Sequence, residues 1–261
     1  MNKEKVYPVQ EMIRTHTHIR KKQYEKMYKA SIEKPEQFWT QKAEKFISWF
    51  KPWDNLMVED FTKGQVSWFV GAKLNASVNC IDRHLELRGN QTAIIWEGDN
   101  PEEHKHISYI ELHERVCQLT NVLKERGIKK GDRVCIYMPM IPEATFAMLA
   151  CARMGAIHSV VFGGFSPQAL RDRIVDSDCQ MVITADEGIR GSKKVPLKAN
   201  TDQALLSCPN VHSVIVVKRT SSKIDWTDSR DIWYHEATAK AKKTCTPEIM
   251  DAEDPLFILY T

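Results

Sequence analysis

With 261 residues and 43% apolar composition, the chain can bury a sizeable core, as one large domain or two smaller ones. Its 37 basic and 34 acidic residues, net +3, are too evenly mixed to mark a nucleic-acid or membrane-surface binder. No apolar stretch approaches the roughly 20 residues that span a bilayer, and no apolar h-region follows Met1, so neither an anchor nor a leader is expected.

Residues 1–85 differ from the rest of the chain. They are charged and aromatic-rich, with Trp39, Trp49, Trp53 and Trp68 close together, and read as an amino-terminal extension that docks on a core. Pro35 suits a first helical turn, and Phe38, Trp39, Phe46 and Trp49 follow at helical spacing, so one amphipathic helix is predicted to end before Pro52. Its aromatic stripe is read as packing.

From residue 86 the pattern becomes regular. Thr92 to Asp99 reads as a strand entering a turn, with a hairpin partner at His106-Ile107. Ser108-Tyr109-Ile110-Glu111 is a capping box, and Leu112, Val116, Leu119, Val122 and Leu123 mark one face of a helix closed by Gly127. Next come the strand Val134 to Met138, a helix opened by Pro142 and closed by Gly155, and the strand Ile157 to Val161. Ser166-Pro167 opens another helix, with Ser at the cap and Pro at the first helical position, before the strand Met181 to Thr184. Pro196 opens a further helix, and Val211 to Val217 is the next strand. The polar stretch Ser221 to Thr246 reads as a surface excursion, and Leu256 to Tyr260 as a buried-type strand. Strands alternating with helices at this spacing predict an α/β fold, a doubly wound and mostly parallel sheet covered by helices on both faces.

The seven cysteines form no Cys-x-x-Cys pair and are odd in number, which predicts reduced thiols in a cytoplasmic protein; those inside apolar runs, such as Cys135, act as small buried hydrophobes. Thr15-His16-Thr17-His18 lacks an accompanying acidic or cysteine cluster and reads as a surface histidine pair. His84 and His158 read as hydrogen-bonded structural histidines.

Parallel strands deliver their following loops to one sheet edge, so the loops after Met138, Val161 and Thr184 are predicted to be neighbours. Met138-Pro139-Met140-Ile141-Pro142 puts prolines where a dinucleotide fold needs glycines, which counts against a dehydrogenase. In Phe162-Gly163-Gly164-Phe165-Ser166-Pro167, the paired Gly163 and Gly164 leave either an open surface for a flat ligand group or a tight turn that clears space for helix packing. The loop Ala185 to Lys194 interleaves small residues with cations. There Arg190 can fork onto phosphate oxygens and Lys193 can offer a point charge, the alternative being a solvated basic loop. No Gly-x-Ser-x-Gly elbow and no Walker A sequence occurs, which removes the usual hydrolase and P-loop readings.

Six separated segments, in order, carry a resemblance. Leu74 to Leu85, Ala93 to Asp99, Ile136 to Met140, Ser159 to Ser166, Thr184 to Gly188 and Asp254 to Thr261 resemble the AMP-forming acetyl-coenzyme A synthetases, from about Tyr24 onward. That family belongs to the adenylate-forming enzymes. The resemblance implies that a carboxylate, here acetate, is activated with ATP and Mg2+ to an acyl-adenylate and then transferred to coenzyme A, releasing AMP and pyrophosphate. It implies 1–85 as the family's amino-terminal extension and 86–261 as the first part of the AMP-binding domain. Family members carry a Ser/Thr/Gly-rich phosphate loop ending in Lys just after the match to Leu259-Tyr260-Thr261, so the ATP, acyl and Mg2+ sites are expected downstream and the chain alone is expected to be inactive in adenylation.

What the resemblance carries over is the coenzyme A side. It implies that Arg190, Gly191, Ser192 and Lys193 bind the phosphorylated nucleotide end of coenzyme A, with Gly163 and Gly164 beside the same site. The family usually has Arg where this chain has Lys193, so a forked contact becomes a point contact here. A non-catalytic module that binds coenzyme A or a partner, and a propionate-specific ligase, stay open as alternatives. No nucleic-acid or membrane partner is implied.

Overall fold

Three helices open the structure, a computed structural model that describes residues 6–191 and 193–260. They are α1 (Glu11–His16), α2 (Lys21–Glu33) and α3 (Pro35–Phe46), with Pro35 at the first position of α3 as its fixed φ favours. An antiparallel hairpin of β1 (Asn55–Asp60) and β2 (Gln65–Val70) follows, in register from Asn55–Val70 to Asp60–Gln65. The helices and this hairpin form one compact unit; Ser48–Asp54 and the chain from Gly71 onward form another. In the first unit Trp39 of α3 meets Trp68 of β2 edge to face, but Phe46 is 58% exposed and α3 ends before Trp49, so the predicted aromatic stripe packs only in part.

The second unit contains β3 (Lys73–Leu74), α4 (Ala76–Cys80), α5 (Leu85–Arg88) and the antiparallel pair β4 (Thr92–Glu97) and β5 (His104–Ser108). Then come α6 (Tyr109–Glu125), β6 (Arg133–Met138), α7 (Pro142–Met154), β7 (Ile157–Phe162), α8 (Pro167–Asp176) and β8 (Met181–Ala185). A short hairpin of β9 (Gly188–Arg190) and β10 (Lys193–Val195) leads to α9 (Leu197–Leu205), β11 (Ser213–Val217), β12 (Asp231–Trp233), α10 (Tyr234–Lys240), β13 (Met250–Asp251) and β14 (Phe257–Ile258).

The caps are those the residue types dictate. The Ser108 hydroxyl accepts from the Glu111 amide at 3.2 Å and the Ser166 hydroxyl from the Ala169 amide at 3.3 Å. Gly155 closes α7 at φ +75°, where a Cβ would be strained.

The central sheet is parallel throughout, in the order β12-β11-β8-β6-β7-β14. Every residue of β8 and β11 is buried, as expected for strands covered on both faces. Strand order reverses at β6: the chain moves from it to β7 on one side, then returns to β8 on the other. In open α/β sheets the ligand crevice lies outside the carboxyl ends of the strands at such a reversal.

Three expectations need correction. The stretch 221–246 is not a surface excursion, because it supplies β12 and α10, with Asp231, Tyr234 and Thr238 buried. Stacked Trp226 and Trp233 rings, 4.6 Å apart, and ionic partners for Asp231 hold this polar segment in the fold. The final strand pairs with one neighbour, β7, at Phe257–His158 and Ile258–Ser159 only, so Phe257 and Leu259 stay 52% and 70% exposed. It is the outermost strand of the sheet among the described residues: its other hydrogen-bonding edge is unpaired there, and apolar side chains beside it stay exposed. His158 is buried, but its Nδ1 has no hydrogen-bond partner, and burial lowers its pKa to about 4.

The cysteines divide. Cys117, Cys135, Cys151, Cys179 and Cys208 are buried, Cys245 is half-buried and Cys80 is exposed; all seven are free thiols.

Candidate functional site

At the carboxyl edge of the sheet, the loops after β6, β7 and β8 come together, as parallel pairing of β6 with both neighbours requires. Gly163 lies where a Cβ would come within 3.0 Å of the Met138 carbonyl oxygen, so the turn after β7 packs directly on the end of β6. A Cβ at Gly164 would meet the Phe162 ring at 2.6 Å. Of the two readings of this pair, close packing is thus visible, while Phe162 itself is half-exposed and offers a ring surface beside the turn.

After β8 the chain forms a two-stranded hairpin where sequence reasoning placed a loop. Arg190 stands directly opposite Lys193, Ile189 opposite Lys194 and Gly188 opposite Val195. Directly opposed residues of an antiparallel pair share a face with Cβ atoms about 5 Å apart, so the two exposed cations are held side by side. Like charges so placed repel, and an anion between them relieves the repulsion. The turn joining them contains Gly191 at φ +59°, a left-handed conformation in which nothing lies within 4 Å of where a Cβ would be. Ser192, the other turn residue, lies outside the described residues.

Arg190 also joins the two loops. Its guanidinium lies over the Phe162 ring, 5.6 Å from the centroid, which fixes the cation beside the glycine turn. The Gly191 amide donates to an Asp99 carboxylate oxygen at 2.6 Å, tying the hairpin turn to the β4–β5 connection.

Asp186 organises the base of this edge. Its buried carboxylate accepts from the amides of Glu187 at 2.7 Å and Arg219 at 2.8 Å, and from those of Thr220 and Ser222 at 3.2 Å. Glu187 then accepts from the Thr220 and Ser222 hydroxyls and pairs with Lys194 at 3.1 Å, and these bonds hold its pKa below the usual carboxylate value. The loops after β8 and β11 are therefore one rigid network. Below them, Leu197 at the start of α9 sits against both glycine positions, 3.5 Å from a Cβ at Gly163 and 3.3 Å from one at Gly188.

Asp99, Phe162, Asp186 and Leu197 are the residues that sequence reasoning missed. Only Asp186 left a signal: an acid directly after a strand that is apolar but for Thr184, where loop amides need an acceptor. His16 and His18 are both exposed, as expected for a surface pair, and no group of three metal-ligating side chains occurs among the described residues.

The parallel sheet, the reversal at β6 and a basic hairpin at the carboxyl edge define a doubly wound α/β protein with two exposed cations opposed across a turn. Its fold is that of the acetoacetyl-CoA synthetase from Streptomyces lividans, which superposes with a TM-score of 0.83 at 23% identity, over 91% of this chain and 36% of that one. The chain belongs to the AMP-binding enzyme family, whose pattern matches residues 81–261. Residues 24–80 match the pattern described as acetyl-coenzyme A synthetase N-terminus.

Similar proteins include the acetyl-coenzyme A synthetase of Alkalilimnicola ehrlichii, 61% identical over 261 residues, which is all of this chain and 40% of that protein. The acetyl-coenzyme A synthetase 2 of Pseudomonas aeruginosa is 59% identical over 256 residues, 98% of this chain and 40% of that protein. The chain thus spans about 40% of the length of these curated relatives.

Proposed function

We propose that this chain is the coenzyme A-facing portion of an acetate–coenzyme A ligase of the AMP-forming type. The whole ligase converts acetate and ATP to acetyl-adenylate and pyrophosphate, then transfers the acetyl group to the coenzyme A thiol with release of AMP. The observation that carries this reading is the pairing of Arg190 with Lys193 across a glycine-containing turn, in a chain 61% identical to a protein named acetyl-coenzyme A synthetase.

In this proposal residues 1–85 are the extension typical of such ligases and 86–261 begin the adenylate-forming domain. Arg190 takes two phosphate oxygens of the nucleotide end of coenzyme A as a fork, Lys193 adds a point charge, Gly191 turns the backbone so that both cations face the same group, and Ser192 belongs to the same binding loop. Gly163 and Gly164 keep the neighbouring surface clear of side chains. ATP, acetate and Mg2+ are assigned to parts of the ligase beyond residue 261, and no residue of the hairpin or the glycine turn is given a role toward them. Free thiols at all seven cysteines fit a reducing compartment, the cytoplasm, and no helix among the described residues is long and apolar enough to cross a membrane.

The test is a discrimination experiment in the complete ligase. Arg190→Ala is expected to raise KM for coenzyme A far more than for dephospho-coenzyme A, which lacks the terminal phosphate. Equal losses for the two would reject the phosphate role. Reading the source transcript past the codon for Thr261 checks the assignment to a longer ligase: a Ser/Thr/Gly-rich loop ending in Lys supports it, and a stop codon favours a binding module.

A further inference from the structure

A cleft of about 510 Å³ opens between β5, the start of α6, the first turn of α7, the end of β11 and α10. It shares no lining residue with the β9–β10 hairpin or with the Gly163-Gly164 turn. The volume falls within the range of small-molecule sites, roughly 300–1,000 Å³.

Its polar lining has an unusual balance. Lys105, Arg115 and Lys218 come from three separate elements and converge on it. Lys105 rests on the Trp96 ring at 5.7 Å and Lys218 on the Trp233 ring at 5.2 Å. Neither forms an ion pair among the described residues, so aromatic faces hold these head groups without neutralising them. Arg115 is only loosely paired, with Glu111 at 3.8 Å. The first turn of α7, a helix of 13 residues, also faces the cleft, and its cap residue Ile141 offers no side-chain acceptor. Glu143 sits in that same first turn and offsets the positive end of the helix, so the positive character of the cleft comes from the three side chains.

A second, independent observation points to a ligand. Tyr234, which lines the cleft and is 7% exposed, carries a hydroxyl that is shut from solvent and has no hydrogen-bond partner. A buried donor left unpaired loses the hydrogen bond it had with water, a cost that structures rarely carry without a reason. Burial and the nearby Glu143 carboxylate push its pKa above the ordinary tyrosine range, so at neutral pH the group is a donor and requires an acceptor oxygen.

We infer that this cleft binds a small organic phosphate, with the phosphate held among Lys105, Arg115 and Lys218 and accepting from the Tyr234 hydroxyl, while Glu111 and Glu143 accept from hydroxyls on the rest of the molecule. Because the Tyr234 hydroxyl is shut from solvent, bringing an acceptor to it requires neighbouring side chains to shift; Glu143 and Arg115, whose charges act on that hydroxyl, line the same cleft. Phosphate chemistry is favoured over a simple carboxylate because two lysines without an ion-pair partner among the described residues and a loosely paired arginine offer more donors than one carboxylate group can use, even with Glu111 and Glu143 in the same lining.

The experiment titrates the full chain at low ionic strength with ribose 5-phosphate, inorganic phosphate and ribose, following heat and tryptophan fluorescence. Ribose 5-phosphate is expected to saturate the site, inorganic phosphate to bind roughly tenfold more weakly, and ribose not to bind. Arg115→Met and Lys218→Met should each weaken ribose 5-phosphate about tenfold, and Arg190→Ala should leave it unchanged. Tyr234→Phe should weaken binding about fivefold yet raise the melting temperature of the ligand-free chain, because the orphan donor is gone. A merely structural tyrosine would lower that melting temperature and leave binding alone. The inference is overturned by the absence of saturation up to roughly 10 mM ribose 5-phosphate, a range that covers even weak binding. It is equally overturned by binding that survives in both Arg115→Met and Lys218→Met, or that vanishes in Arg190→Ala.

Discussion

Replacing Lys198 by Met tests how α9, the helix under the candidate coenzyme A site, is held in place. Lys198 is 0% exposed, an unusual state for an ammonium group, and its Nζ lies 2.7 Å from Asp202, 2.9 Å from Asp231 and 3.0 Å from the Asp225 carbonyl oxygen. Asp231 is also fully enclosed at its side chain, with Arg230 at 2.6 Å and the Thr227 amide donating to it at 2.9 Å. Each Lys198 ion pair has a gross attraction of about 6 kcal/mol at an effective dielectric constant near 20. Against this, the substitution also removes the ammonium's own desolvation penalty, which is several kcal/mol, and Arg230 remains on both carboxylates. The net loss should therefore fall at the low end of the range for breaking a buried pair, about 3 kcal/mol, or a fall in melting temperature of roughly 6–12 °C. Amide hydrogen exchange of β11 and β12 is the right assay, because it reads this unit separately from the amino-terminal one. Burial raises the pKa of Asp231, but bonds from Arg230 and Lys198 outweigh that and leave it lowered. Its stabilising contribution is thus present above about pH 4 and lost as pH falls through the folded-state value, so the gap between the two proteins should narrow in acid. A loss under about 1 kcal/mol at neutral pH would show that Arg230 alone balances both carboxylates, and the reasoning from Lys198 would fail.

Asp186→Ala should cost about 3 kcal/mol, since four amides lose a charged acceptor, and exchange protection should fall at Glu187, Arg219, Thr220 and Ser222 before it falls elsewhere; uniform loss would contradict a local role. Gly163→Ala should destabilise by about 1–3 kcal/mol in urea denaturation, because its Cβ would press on the Met138 carbonyl oxygen at 3.0 Å and backbone must move; a neutral result would mean that the turn is slack. For Asp82, burial raises the pKa, but bonds from His113 and from both terminal nitrogens of Arg153 outweigh it and hold the carboxyl at about 2. With a folded value below the unfolded 3.8, it contributes about 2 kcal/mol that is present above pH 4 and disappears between about pH 4 and pH 2; the stability–pH curve of Asp82→Asn should lack that segment.

The sheet was legible because its strands announce themselves. Met181 to Ile183 and Val214 to Val217 are unbroken runs of apolar, largely β-branched residues, and burial on both faces suits such runs. The helices between them carry caps whose chemistry is local: Ser108 and Ser166 at starts, Gly155 at an end. None of this needs knowledge of tertiary contacts. The candidate site was legible in part for the same reason, since Arg190, Gly191 and Lys193 lie within a few residues of one strand end. Their direct opposition was not, because a three-residue strand is too short to show alternation, and the Phe162 ring that holds Arg190 is 28 positions earlier in the chain.

What escaped sequence reasoning has one physical character: polar residues whose burial is made tolerable by partners distant in sequence. Residues 221–246 look like a solvated loop because Asp225, Asp228, Arg230 and Asp231 dominate the local composition. The partner that draws Asp231 inside is Lys198, on a helix that closes before β11 begins, and a lysine at the second position of a helix reads as surface on any local scale. The same segment supplies Tyr234, whose hydroxyl, unlike Asp231, finds no partner in the chain. Within one stretch of four residues, then, the fold satisfies a buried carboxylate three times over and leaves a buried hydroxyl with nothing. A chain able to supply partners at that depth for Asp231 was not short of the means to supply one for Tyr234, and an oxygen from a bound molecule completes the arrangement with the donor chemistry already in place.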